Sequence, residues 1–503
     1  MSLDEIQSPL PARNIETIVP EPKKEVEQEV GKTKEEEHVE VPIPQRESNV
    51  VPMSGQNIKK KDKKSILFLV LFLVILVIGG ILLFSKISKK TELPATTKTN
   101  IIYWGLWEDE NVMQTIISEF EAKNPDIKVD YKRNQITDYR TRLKSRLSRT
   151  DVEDVPDIFR IHTSWLPMFQ SELANIPQNT VNNLKLEDDL YDCYKRDLKI
   201  NGVYKAIPIM YDGLSLFYNK DLIDNAGVKL PETWVELQNA AEKIQELDED
   251  KTIKIAGVAM GLADNVDHFS DIVGLMMQQS GVNPMSLSNQ KNLDNLKSVL
   301  TYYSIFRTKY HLWDENLPNS TDYFVAGKLG FYFAPSWRVF DIENLNPNLN
   351  YGIITVPQLP VSEKEGELTN IHWGNYWVEG INAKSEKQKE IWKFIEFLAS
   401  KEINDRLFAT GSQIREFGQI SPRKSDQEKM MTNTKVKPFV MAANNAYNWY
   451  LSSNTFDSGL NDEMIKYFAD AINSLSLLNK PIDEVIVTLT SGINQLITKY
   501  QLQ

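Results

Sequence analysis

One cysteine, Cys193, in 503 residues excludes an intramolecular disulfide and a four-cysteine zinc site. Histidine is scarce too, with five in the chain. His162, His268 and His372 stand over a hundred residues apart, so ordinary hydrogen-bonding histidines fit better than a shared metal. Basic residues are outnumbered, 57 against 69 acidic, and the net charge of -12 argues against a nucleic-acid partner. No nucleophile elbow, phosphate-binding loop or H-E-x-x-H helix is present. Paired glycosidase carboxylates leave no such trace, because their separation is invisible in sequence, and that chemistry stays open.

The chain is too long for one core, while 41% hydrophobic and 25% charged residues are ordinary for a globular protein. Residues 1–64 hold many prolines and glutamates and scarcely an aromatic; such a segment cannot offset its ordering entropy and is expected to be disordered. Residues 66–84 then run nineteen positions without a charge, close to the ~20 needed to span a bilayer. No small-residue cleavage site follows, so a retained transmembrane helix over 65–85 is expected rather than a signal peptide. Lys59, Lys60, Lys61, Lys63 and Lys64 precede it, and Lys86, Lys89, Lys90 and Lys98 follow, a weak lean toward a cytoplasmic N-terminus. Residues 86–99 form a polar tether reaching up to ~50 Å.

Folded patterning begins at Asn100. Strands are expected at 101–104, 127–131 and 157–161, with helices at 108–123 and 137–148 between them. This β-α-β-α-β alternation predicts a largely parallel sheet with ligands at the strand C-termini. Further on, Trp234, Leu237, Ala241 and Ile244 face inward from one helix, and Ile391, Phe394, Ile395 and Leu398 from another. Strands are expected near 254–260, 328–333, 352–357 and 376–382, a helix at 272–279, and an almost wholly helical C-terminus from Lys437.

The pivotal stretch is 204–221, YKAIPIMYDGLSLFYNKD. Its two apolar runs, broken at Asp212-Gly213, fit one strand with a bulge or two strands in different sheets. Seven aromatics, Trp104, Trp107, Trp165, Tyr211, Trp337, Trp373 and Tyr376, fall at or just after expected strand ends. Singly each is an ordinary structural residue; together, with carboxylates and amides nearby, they suit a sugar, which has an apolar C–H face and a hydroxyl rim.

The segments IIYWGLWEDE (101–110), FEAKNPDIKV (120–129), VPDIFRIH (155–162), YNKDL (218–222), AGVKLPETW (226–234), AGKLGFYFAPSWR (326–338) and ISPRK (420–424) carry a resemblance. In order and spacing they resemble the extracellular solute-binding proteins of ABC importers, the sugar-binding branch above all. The resemblance implies an α/β, two-lobed, periplasmic-binding-protein-like fold of type II with hinge crossovers. Lobe 1 would be 100–210 with 357–411, and lobe 2 would be 211–356 with 412–503. It implies a cleft formed by Trp107, Glu108, His162 and Ser164 from one lobe, Tyr211 and Asp212 from the first crossover, and Ser336 and Trp337 from the other lobe. Trp373, Asn375 and Tyr376 follow the second crossover, and Phe456-Asp457 aligns loosely. Cys193 lies too far along the chain to be a lipid anchor, so the helix before the folded part takes that place.

The expectation is a monomeric, membrane-anchored, extracytoplasmic binding protein of an ABC importer. It captures a sugar or oligosaccharide and delivers it to permease subunits, with no catalytic residue, metal or cofactor. Its rivals are a membrane-tethered glycan hydrolase or lyase using a carboxylate such as Asp212, and a sensor ectodomain, for which the tail supplies no folded output module.

Overall fold

The computed structural model describes residues 98–149, 154–361 and 366–502. The expected tail and membrane span lie outside the described residues. Among those described, no helix is long and apolar enough to cross a membrane.

Strands β1 (Thr99–Gly105), β2 (Ile127–Arg133), β3 (Ile158–His162), β4 (Ala206–Ile207), β5 (Leu214–Asn219), β6 (Glu246–Leu247), β7 (Ile253–Val258), β8 (Leu329–Pro335), β9 (Tyr351–Ile354) and β10 (Trp377–Ile381) build two sheets. One has the order β2-β1-β3-β10-β4 and the other β9-β5-β8-β7-β6. In the first, β1 pairs in parallel with β2 and β3, as the alternation predicts. β10 pairs antiparallel with β3, because it enters this sheet from the second one and not through a local helical crossover.

The first core follows from the sequence pattern. Helix α1 (Glu110–Lys123) buries Met113, Ile116, Ile117 and Phe120. Phe120 meets Phe394 edge-on at 5.0 Å, and Tyr103 of β1 meets the same ring at 6.1 Å. Each such burial contributes about 1.5–3 kcal/mol. α1 starts two residues later than its acidic run suggests. Asp109 caps it, accepting from the Asn111 and Val112 N–H groups, while Glu108 is drawn inward to Arg160.

The second core forms on β5 and β8 against α2 (Trp234–Ile244), which buries Trp234, Leu237, Ala241 and Ile244 as its periodicity predicts. Thr233 and Glu236 close a reciprocal capping box at its start. The stretch 204–221 is resolved by topology: β4 lies in the first sheet and β5 in the second, so the chain changes sheet between them. It returns between β9 and β10. The two passages touch, Gly213 forming a bridge with Gly374 and the Asn375 N–H donating to the Asp212 carbonyl at 3.1 Å. The approach is close: a Cβ on Gly213 would sit 2.5 Å from the Trp373 carbonyl oxygen.

The C-terminus departs from its expected helix. Ala446–Tyr447 is a strand paired with His372–Trp373. Irregular chain then runs to helix α3 (Leu460–Ser476). Asn454, Phe456 and Ser458 in that segment have positive φ, which a helix cannot accommodate. Its serines, Asn454 and Gly459 are turn formers that outweigh the apolar spacing.

Candidate functional site

A cavity of about 580 Å³, within the range of small-ligand pockets, is lined by residues from both sheets. Trp107, Glu108 and Trp377 come from the first-sheet side, Tyr211 and Asp212 from the passage between sheets, and Ser336 and Trp337 from the end of β8. Asn375 joins them from the second passage.

Asp212 sits where these parts meet and is buried. Its Oδ1 accepts from the Gly213 N–H at 2.7 Å and the Ser336 N–H at 3.0 Å. Burial pushes its carboxyl up to about 7, against the pull of these backbone donors. Beyond Ser336, Trp337 is half-buried, with the Arg338 guanidinium 4.3 Å from its ring centre. Arg338 is itself held by Asp341 at 2.9 Å and Asp267 at 3.3 Å.

On the opposite wall Trp107 is 38% exposed and meets Trp377 edge-on at 5.5 Å. Glu108 is fixed. It pairs with fully buried Arg160, which also bonds Glu379, and accepts from Gln419 Nε2 at 2.6 Å. Burial opposes its ionisation, but the Arg160 charge and hydrogen bond prevail and hold its pKa below the usual value. The same burial raises Glu379, against Arg160.

Seven of the eleven expected site residues, Trp107, Glu108, Tyr211, Asp212, Ser336, Trp337 and Asn375, line the cavity. His162, Ser164, Trp373 and Tyr376 do not; they are packed behind it. The Ser164 N–H donates to His162 Nδ1, leaving Nε2–H to donate to Asn375 Oδ1 at 3.0 Å. Burial lowers His162 to about 4, so this neutral tautomer persists at neutral pH. Asn375 Nδ2 donates onward to Asp271 at 3.0 Å, so His162 and Asp271 fix its orientation from two sides. Trp373 is fully buried: its indole N–H donates to Asp271 at 2.6 Å, and its ring fills the space that Gly274 leaves open. The Tyr376 hydroxyl donates to Asp197, and its ring packs 4.8 Å from Tyr194. Trp104 and Trp165 are core as well, and the Asp457 carboxylate accepts the Asn461 and Asp462 N–H groups in the first turn of α3.

The cavity also takes in residues the sequence pattern does not mark: Trp377, Phe340, Gln419, Arg415, Ser453 and Asn454. Trp377 was legible as the aromatic that opens β10, one position past Tyr376 and therefore turned to the opposite side of an extended chain. Residues 411–420 carried only a weak signal, two glycines framing a polar turn. Among the described residues no cluster of histidine, cysteine or carboxylates is placed to hold a metal.

Residues 105–405 match the family model described as bacterial extracellular solute-binding protein, and the chain belongs to that family. The multiple sugar-binding protein of Streptococcus mutans is 24% identical over 326 residues, covering 63% of this chain and 74% of its own. A putative binding protein of Brucella abortus is 23% identical over 300 residues, covering 56% and 67%. Among solved structures, the sugar-binding protein of Xanthomonas citri superposes with a TM-score of 0.62 at 18% identity, covering 80% of this chain and 98% of its own. A solute-binding protein of Thermotoga lettingae bound with α-D-tagatose gives 0.59 at 16% identity, covering 80% and 100%. These neighbours share the α/β two-lobe fold.

Proposed function

We propose that the chain is the substrate-binding component of an ABC importer that captures a sugar or oligosaccharide and performs no chemistry on it. The observation that carries this reading is the cavity wall. Trp107, Trp337, Trp377 and Phe456 offer flat apolar surface, while Asp212, Asn375 and the Ser336 region offer hydrogen-bonding groups among them. A sugar needs that combination. The sugar-binding names of the relatives point the same way. Lobes at 100–210 with 357–411 and 211–356 with 412–503 would close on the ligand about the paired Gly213 and Gly374 passages, as periplasmic binding proteins do. The ligand-binding part would be extracytoplasmic and monomeric, held by one helix at 65–85 with the N-terminus inside, and would hand its ligand to permease subunits.

A glycan hydrolase in the same cleft is the rival, and the raised carboxyl of Asp212 is the observation in its favour. Incubation with a panel of neutral and acidic oligosaccharides, followed by thermal shift and product analysis, separates the two. The binding reading expects stabilisation with the oligosaccharide recovered intact. Turnover would establish the hydrolase, and no stabilisation by any member would remove the sugar assignment.

A further inference from the structure

We infer that the captured saccharide carries a carboxylate, and that Arg415 is the residue that selects it; this rests on the sugar-binding reading above. Every other charged group in the cavity wall is already matched. Glu108 pairs with Arg160. Asp109 caps α1. Arg338 pairs with Asp341 and Asp267. Asp212 accepts two backbone N–H groups. Arg415 stands apart from these charged groups of the wall: its Nε–H donates to the Phe417 carbonyl at 2.9 Å, but among the described residues its two terminal nitrogens have no protein acceptor.

The side chain is also pre-positioned. Its guanidinium lies 4.5 Å from the Phe340 ring centre, and Phe340 packs on Phe417 at 4.7 Å. The ring contact and the Nε bond together position the head group and leave both terminal nitrogens without a protein acceptor among the described residues. A planar guanidinium edge matches a carboxylate through two parallel hydrogen bonds. Arg415 is open to solvent at the rim, yet the dense wall around it lowers its pKa through desolvation, with the Glu108 charge opposing. Closing the cleft on a neutral sugar would strip more water from an unmatched cation, which is costly. Closing it on a uronate would supply the missing anion.

The test uses the full chain purified in detergent and isothermal titration with galacturonate and mannuronate trimers, the same trimers methyl-esterified, and a sulfated galactose trimer. The expected result is that an acidic trimer binds roughly ten- to a hundredfold more tightly than its ester. Arg415→Gln should abolish that preference while lowering the ligand-free melting temperature only slightly, through the lost Phe340 contact. Arg415→Lys, which keeps the charge and loses the fork, should restore it only in part. Esters binding as tightly as acids, or the sulfated trimer alone binding, would overturn the carboxylate assignment and leave sugar binding standing. No binding by any member, neutral ones included, would overturn the sugar reading itself.

Discussion

Asp212 and Ser336, 124 positions apart in the chain, are joined by a 3.0 Å hydrogen bond from the Ser336 N–H to the Asp212 carboxylate. The bond ties the first passage between sheets to the end of β8, and so fastens the part of the cavity wall that the second sheet supplies to the point where the chain changes sheet.

Asp212 should make stability depend on pH. Its folded-state pKa of about 7 lies above the ordinary carboxylate value of ~3.9. The folded form therefore holds the extra proton between these values. The stability from this group is full below ~4 and is lost as pH rises through about 7. His162 and His372, both lowered to about 4 by burial, act in the opposite sense, losing stability as pH falls from ~6.5 toward 4. Comparison with Asp212→Asn isolates the carboxyl: wild-type melting temperature minus that of the variant should fall from pH 4 to pH 8. A flat difference would show that Asp212 does not titrate in that window.

Trp337→Ala should weaken saccharide binding by about 2–3 kcal/mol, roughly 30- to 150-fold, through lost stacking and apolar contact. The ligand-free protein should lose little beyond the contact with Arg338, about 0.5–1 kcal/mol. Melting curves with and without ligand check both halves. A ligand-free collapse, or protection that survives intact, would take Trp337 out of the site.

Trp373 should behave in the opposite way. Trp373→Ala removes a fully buried indole and its bond to Asp271, costing about 3–5 kcal/mol of stability whether or not ligand is present. Gly274→Ala places a methyl 2.4 Å from the same ring and should cost about 1–3 kcal/mol by overpacking. Denaturant titration of the ligand-free chain reads both; a stable Trp373→Ala variant that has lost only affinity would return Trp373 to the cleft.

Arg160→Met should cost about 3–5 kcal/mol, because it strands Glu108 and Glu379 in the interior without their cation. Affinity should fall as well, since Glu108 lines the cavity and loses the partner that holds it. The triple change to Arg160→Met, Glu108→Gln and Glu379→Gln should recover much of the stability; no recovery would mean that packing, not charge, dominates there.

The amino-acid sequence by itself determined the elements with strong local signals. Helix 388–398 was legible from Ile391, Phe394, Ile395 and Leu398, α2 from Trp234, Leu237, Ala241 and Ile244, and the change of sheet at Asp212-Gly213 from a polar break between apolar runs with the family's wording around it. Periodicity and turn chemistry are short-range, so they survive without a fold. Only the tertiary structure decided which aromatics face the cavity. Trp373 and Trp377 are four residues apart with like surroundings, yet one is drawn onto Gly274 and Asp271 while the other reaches the cleft beside Trp107. Arg415 was equally silent, because a cation is unmatched only relative to neighbours such as Phe340 and Phe417 and the carboxylates that turn elsewhere. Which side chains share a wall is fixed by contacts across hundreds of residues, and no local pattern encodes them.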